Sequence, residues 1–259
     1  MNWQGLQQVV ASWSGGIDST AVLAQLAQRG YTIKAVVLDI YRHKMPHFAE
    51  REHAARKTLT PIINDLAKKN GGSLEVISYF DCGWIWAFSR DGKEIPRRNK
   101  YILDFMIEQV AMPLDIRNIG MGEYTGADTW LVREHVAATD ADHRALSAYL
   151  YLEYGINWRL ITLQDFGESR YKSDRLKLGF DALGESMLFT TNCLNDGAVH
   201  CGECYKCIER HAAFRTLHAD DGLIVDETEY ATPPADQPRF DLYMRQMQGE
   251  EVTASADLH

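Results

Sequence analysis

The sequence predicts a doubly wound α/β fold, a parallel sheet with helices on both faces, carrying a small four-cysteine element near its C-terminal end. Three observations carry this expectation. Short apolar runs alternate with helix-compatible stretches through the first half of the chain, and such alternation builds parallel sheets covered on both faces. A glycine turn, Ser14-Gly15-Gly16-Ile17-Asp18-Ser19, joins the first apolar run to the first helical stretch. Four of the five cysteines fall within the fifteen residues from Cys193 to Cys207.

In order along the chain, Gln8 to Trp13 reads as the first strand and Ser19 to Gln28 as a helix closed by Gly30. Thr32 to Asp39 is the second strand, His47 to Lys69 a long helix, and Leu74 to Tyr79 the third strand. Arg98 to Ala111 is a helix whose Ile102, Phe105, Met106 and Val110 share one face, a core stripe, and Arg117 to Met121 is the next strand. The pattern decays after Ala219. Glu227 to His259, with Pro233, Pro234 and Pro238 and many acids, reads as a loosely held tail with one amphipathic fragment, Phe240 to Met247, able to dock on a partner. The expected organisation is an α/β domain over 1–185, a cysteine element packed on it over 186–226, and the acidic tail over 227–259.

At 259 residues, with 46% hydrophobic residues, the chain suits one large α/β domain with a small appendage. No apolar stretch is long enough for a membrane span, no signal peptide is expected, and the expected location is cytoplasmic. A formal charge of -9 argues against an extended nucleic-acid surface, although the strip from Arg90 to Lys100 could touch an acidic partner.

Two adjacent glycines let the backbone turn sharply and gather N-H groups around an anion, and the following helix start adds partial positive charge. Phosphate binding is the expectation; an ordinary strand-to-helix turn is the alternative. The order of residues matches neither the Gly-x-Gly-x-x-Gly fingerprint nor the Gly-Lys-Ser/Thr phosphate loop. The cysteine spacing, C-x7-C-x2-C-x2-C, can close a tetrahedral zinc site, with Gly197 and Gly202 supplying tight bends. Disulfides and an iron-sulfur cluster are the alternatives. A closed four-thiolate set leaves no open position for substrate, so the metal would hold the fold. His200 and Glu203 read as solvated loop residues.

The loop resembles the Ser-Gly-Gly-x-Asp-Ser loop of the ATP pyrophosphatase, or PP-loop, superfamily, whose adenine nucleotide α-hydrolase-like, Rossmann-like enzymes split ATP between its α and β phosphates. With the cysteine spacing added, residues 8–215 are similar to the 7-cyano-7-deazaguanine synthase (QueC) family. That resemblance implies a ligase of queuosine biosynthesis using ATP and Mg2+, with Zn2+ on Cys193, Cys201, Cys204 and Cys207. It implies ATP and pyrophosphate binding by Ser12, Ser14, Gly15, Gly16, Ile17, Asp18, Ser19 and Thr20, with Asp18 orienting the loop or assisting magnesium. Ile95-Pro96-Arg97-Arg98-Asn99 resembles the family's Val-Pro-Gly-Arg-Asn and makes Arg98 and Asn99 binding residues. Tyr41-Arg42-His43 is similar to a Tyr-Gly-Gln-Arg-His segment and carries over Arg42 and His43. Gly120-Met121-Gly122-Glu123 stands in the place of a strand followed by Gly-x-x-Glu, facing nucleotide or substrate, and Lys172, within Tyr171-Lys172-Ser173-Asp174, is the cation that would neutralise phosphate charge. Catalysis would fall to Asp18, Lys172 and Glu123, with His43 or Glu123 as general base. Position alone leaves Arg98, Glu123 and Lys172 as ordinary surface charges.

The implied reaction adenylates the carboxylate of 7-carboxy-7-deazaguanine, amidates it with ammonia and dehydrates the amide to the nitrile. One segment departs from the family. Where it reads Thr/Asp-x-Ser-Gly-Tyr-Pro-Asp-Cys-Arg, this chain reads Tyr124 to Arg133, with only Gly126 and Asp128 matching. The departure motivates a relative that joins the adenylated carboxylate to another amine, such as a protein amine in antiviral defence. PP-loop tRNA thiolation and a non-catalytic ATP-binding interaction module are further readings; a homodimer is a further expectation. Asp81-Cys82-Gly83-Trp84-Ile85-Trp86 should border the pocket, its tryptophans stacking on a flat base or filling core.

Overall fold

The computed structural model describes residues 7–39, 45–80, 86–88, 94–96, 99–122, 148, 151–154, 158–167, 169, 171–221, 225–237 and 240–247. Five parallel strands form the sheet: β1 (Gln8–Ser12), β2 (Thr32–Asp39), β3 (Ser73–Phe80), β6 (Asn118–Gly120) and β7 (Arg159–Ile161), in the order β3-β2-β1-β6-β7. Two short strands, β4 (Trp86–Phe88) and β5 (Glu94–Pro96), pair antiparallel apart from it. The expected strands and helices of the first half are all present, with ends within a residue or two.

Strand alternation sorts the core into two layers. Val9 and Ala11, Ile33, Ala35 and Val37, and Ile161 face one way, against α1 (Ile17–Gln28) and α2 (Pro46–Lys69), with α4 (Lys172–Leu183) and α5 (Tyr205–Asp221) completing the layer. Val10, Val36, Ile119 and Leu160 face the other way, against α3 (Asn99–Met106) and the π-helical turn Ile107–Ala111 that continues it. Strands buried on both faces read as continuous apolar runs, which is why β1 and β2 are legible. The expected stripe of α3 is core, with Phe105, Met106 and Val110 buried and Ile102 partly so. From β1 the chain runs outward to β2 and β3, then returns to β1's other side for β6 and β7. The loops after β1 and β6 therefore part at a topological switch point, the crevice where such sheets bind ligands.

The second half departs from expectation at its end. Residues 225–237 and 240–247 lie on the body of the protein rather than forming a loosely held tail. α6 (Phe240–Met247) buries Phe240 and Tyr243 against Ile208 and Ala212 of α5. Ala231 and Thr232 donate backbone hydrogen bonds to His200 and Cys201 carbonyls at 2.8 and 3.1 Å. The amphipathic fragment thus docks on its own chain; acidic and proline-rich composition hid apolar anchors at helical spacing.

A buried, hydrogen-bonded charge holds this segment. Arg210, 0% exposed, donates from Nε to Asp226 Oδ1 at 3.3 Å and Thr228 Oγ1 at 3.1 Å, from Nη1 to Thr190 Oγ1 at 2.8 Å, and from Nη2 to the Leu188 carbonyl at 3.1 Å. Burial pushes the Asp226 carboxyl up, but a hydrogen bond from His211, the Arg210 charge and hydrogen bonds from Thr228 and Tyr230 outweigh it and hold Asp226 well below the usual carboxylate range. Arg210→Met should cost roughly 3–5 kcal/mol, because it strands a buried carboxylate. Urea unfolding reads this directly, and a loss under about 1 kcal/mol, the scale of an exposed pair, would contradict it.

Candidate functional site

The glycine loop follows β1 at the switch point. Gly15 has φ +92°, a left-handed conformation that side-chain residues rarely adopt, and a Cβ there would stand 3.1 Å from the Glu52 carbonyl oxygen. Gly16 caps α1. Ser14 Oγ lies 3.1 Å from Ser19 Oγ and accepts from Gly16 N-H at 3.2 Å, while Ser19 Oγ accepts from Ser14 N-H at 3.3 Å. Two hydroxyls and the amides around a helix start therefore converge on one turn, the arrangement that receives an anion. On the opposite side of the crevice, a Cβ on Gly122 would stand 2.6 Å from Ser19 N, so β6 must deliver its loop directly against the start of α1.

Cations gather at the same helix start. Lys172, 3% exposed at the first position of α4, donates to Asp18 Oδ2 at 2.5 Å and stands 3.6 Å from Glu209 Oε2. Arg175 Nη1 lies 3.6 Å from Asp18 Oδ1 and its Nε donates to the Ser169 carbonyl at 3.0 Å. α4 is set there by its own start, where Asp174 Oδ2 accepts from Tyr171 N-H at 2.7 Å. Behind the loop, Arg56 of α2 donates to the Ser14 carbonyl at 2.7 Å and pairs with Glu52 at 3.4 Å.

Burial pushes the Glu52 carboxyl up to about 7; the Arg56 charge and hydrogen bond oppose this and the Asp39 charge adds to it. A carboxyl raised in the folded state contributes stability below its ordinary value near 4.5 that is lost as pH rises through about 7. Urea midpoints should therefore fall between pH 5 and pH 8, and Glu52→Gln should flatten that fall. An equal fall in both proteins would contradict the assignment.

Cys193, Cys201, Cys204 and Cys207 come together as expected, their sulfurs all within 4.8 Å of one another, with Cys204 to Cys207 at 3.5 Å and Cys201 to Cys207 at 3.9 Å. Zn-S bonds of about 2.3 Å place tetrahedral sulfurs ~3.8 Å apart, so the set fits one ion; a cubane would hold its cysteines on the outer corners and wider. Backbone N-H groups of Asn195 and Cys201 donate to Cys193 Sγ at 3.4 and 3.3 Å, and that of Cys204 to Cys201 Sγ at 3.2 Å. Hydrogen bonds from Cys204 and Cys207 hold the Cys193 thiol far below the ordinary range, while hydrogen bonding to Cys193 pushes Cys204 up to about 11. A cation bound by these four sulfurs would displace the protons they share. Gly202, at φ +80°, turns the loop, and a Cβ there would meet the Thr232 carbonyl oxygen at 1.6 Å.

One expectation is corrected. His200 is buried rather than solvated: Thr191 Oγ1 lies 3.0 Å from Nε2, the Tyr230 ring covers it, and burial, with the Arg210 charge, brings its pKa down to about 4. The Thr20 hydroxyl, on a residue 0% exposed, accepts from Trp13 Nε1 at 3.1 Å, and the Ile17 side chain is core. Glu203 is exposed, as expected, and accepts from Thr232 Oγ1 at 3.0 Å. Ser12 ends β1 beneath the loop. Arg42, His43, Arg98, Glu123 and Asp128, the side chain of Asn99, and Cys82 and Trp84 lie outside the described residues. Arg56, Arg175, Thr191, Asn192 and Glu209 join the site without having been singled out for it. The one signal was position, since Asn192 precedes the first cysteine and Glu209 follows the last by two.

A parallel α/β sheet with a glycine loop at its switch point and a four-cysteine cluster beside it defines the chain's class, the one expected from its sequence. Four curated relatives similar to it are named 7-cyano-7-deazaguanine synthase. That of Methanoregula boonei is 25% identical over 215 residues, 81% of this chain and 95% of the relative. That of Pseudoalteromonas atlantica is 25% identical over 228 residues, 84% of this chain and 98% of the relative. The solved U34-tRNA thiolase NcsA of Methanococcus maripaludis, with its 4Fe-4S cluster, is 13% identical at a TM-score of 0.35, covering 96% of this chain and 74% of that one, a likeness too distant to carry an argument. No protein-family model matches the chain. Among the described residues no helix is long and apolar enough to cross a membrane.

Proposed function

We propose that the protein is an ATP-dependent, AMP-forming enzyme of the 7-cyano-7-deazaguanine synthase type, acting on the carboxylate of a 7-deazaguanine. The observation that carries the reading is the buried Lys172 ammonium, 2.5 Å from Asp18 in the first turn of α1, beside a glycine loop at the switch point. A substrate carboxylate oxygen attacks the α-phosphorus of MgATP, and the bond from that phosphorus to the bridging oxygen breaks. Pyrophosphate leaves into the loop of Ser14, Gly15, Gly16 and Ser19. Lys172 and Arg175 face the charge that builds on it, where preorganised cations act most strongly. Pairing with both cations gives Asp18 an orienting role. Ammonia then displaces AMP to give the amide, and a second adenylation, on the amide oxygen, allows loss of AMP and a proton to leave the nitrile.

The metal reading is structural zinc on Cys193, Cys201, Cys204 and Cys207, which leaves no position for substrate. Arg42, His43, Arg98, Asn99, Glu123 and Asp128 remain the proposed substrate contacts. The altered segment from Tyr124 to Arg133 favours a second reading, in which another amine replaces ammonia as acceptor. Incubation with MgATP and 7-carboxy-7-deazaguanine, with and without ammonium, separates the two: ammonium-dependent nitrile supports the synthase, whereas AMP or adenylate without nitrile supports another acceptor. No AMP under any condition would contradict both.

A further inference from the structure

The cysteine element does more than stand beside the glycine loop. The two residues before Cys193 are bonded into it: Thr191 N-H donates to the Gly15 carbonyl at 3.0 Å, and Asn192 Oδ1 accepts from Ile17 N-H at 3.1 Å. Ile17 begins α1, so its N-H is among those that no helical carbonyl can satisfy. Gly16 is closed in by the same two residues, since a Cβ there would lie 3.2 Å from Asn192 Oδ1 and 3.3 Å from the Thr191 carbonyl oxygen. The two residues beyond Leu194 grip the other wall. Asp196 Oδ1 accepts from Phe48 N-H in the first turn of α2 at 2.9 Å, and the Asn195 carbonyl accepts from Arg51 at 2.5 Å. α2 in turn holds the Ser14 carbonyl through Arg56 at 2.7 Å.

Cys193 is the centre of this short segment, buried, with its sulfur fixed by the amides of Asn195 and Cys201. An ion that binds Cys193 would therefore fix Asn192 on one side and Asp196 on the other. We propose that Asn192 is a positioning residue that couples the metal of the cysteine element to the anion loop, so that metal and pyrophosphate-bearing ligand each tighten the binding of the other. The inference rests on the proposed reading of the loop as an ATP site. Coupling between two sites is reciprocal, so it can be read from either end.

The test uses the full, zinc-loaded chain, titrated with MgATP and with magnesium pyrophosphate by calorimetry, together with the rate at which a chromogenic chelator extracts zinc with and without MgATP. In the unaltered protein MgATP should slow extraction. Asn192→Ala should bind zinc but take up MgATP about tenfold more weakly, the value of roughly 1.4 kcal/mol or one good hydrogen bond, and MgATP should no longer slow extraction. Asn192→Asp keeps the acceptor and the shape while adding a negative charge, so it should fold, retain protection of zinc at saturating MgATP, and bind pyrophosphate more weakly at low salt. Unchanged or tighter MgATP affinity in Asn192→Ala, with protection intact, would overturn the coupling while leaving the ATP site standing. If Asn192→Ala does not fold, unchanged pyrophosphate affinity in Asn192→Asp overturns it. An unaltered protein that binds neither ligand would remove the ATP reading itself, and the coupling with it.

Discussion

Replacing Lys172 with methionine should lower AMP formation about 10²- to 10³-fold, the scale of losing one preorganised group aimed at charge that develops in the transition state. Lys172 is nearly sealed from water, where its charge is least screened, and it is held between Asp18 and Glu209 at 2.5 and 3.6 Å. A lysine kept merely for stability would have its main effect on unfolding. The drop should instead fall on kcat, with MgATP affinity reduced less and the thermal transition kept, because Arg175 still faces Asp18 at 3.6 Å. Methionine preserves the apolar stem and so limits any cavity. A variant that unfolds more readily while turning over normally would show that the ion pair with Asp18 is only structural.

The largest stability effect should come from the cysteine cluster. Cys207 is fully buried and lies in the first turn of α5, the helix that also carries Glu209, Arg210 and the surface on which α6 docks. Structural zinc contributes roughly 10–16 kcal/mol of apparent binding free energy in small domains, as much as a whole domain's net stability of about 5–15 kcal/mol. Cys207→Ser should therefore abolish stoichiometric metal and leave a protein without a cooperative melt at ordinary temperature. Chelation of the unaltered protein should do the same, reversibly on adding zinc. One zinc per chain and no visible colour are expected; a brown protein with sulfide and iron, or a metal-free protein that melts as the loaded one does, would contradict this reading.

Sequence carried the first half of the fold because its elements are long and uniform. β2 and α2 are continuous patterns, and the apolar run from Thr32 to Asp39 coincides with the strand end to end. β7, only Arg159–Ile161, is too short to show a period. α4 is hard to see in the sequence because it buries Lys172, Ser173 and Arg175, polar residues that break an apolar stripe, and because Gly179 sits inside it to admit Met187. The glycine loop and the cysteines were legible since each is a local spacing with its own chemistry. Asn192, Glu209 and Arg56 were not, because what makes them part of the site is the meeting of the start of α1 with segments far away in the chain. His200 shows the converse error: a polar residue within a cysteine loop looks solvated until Thr191 and Tyr230 close over it.

The most direct test of adenylation follows oxygen. With 7-carboxy-7-deazaguanine labelled by 18O in its carboxylate, MgATP and ammonium, AMP should acquire label from the substrate as pyrophosphate and the unlabelled nitrile appear. Unlabelled AMP, or ADP and phosphate in place of AMP and pyrophosphate, would contradict attack by the carboxylate on the α-phosphorus.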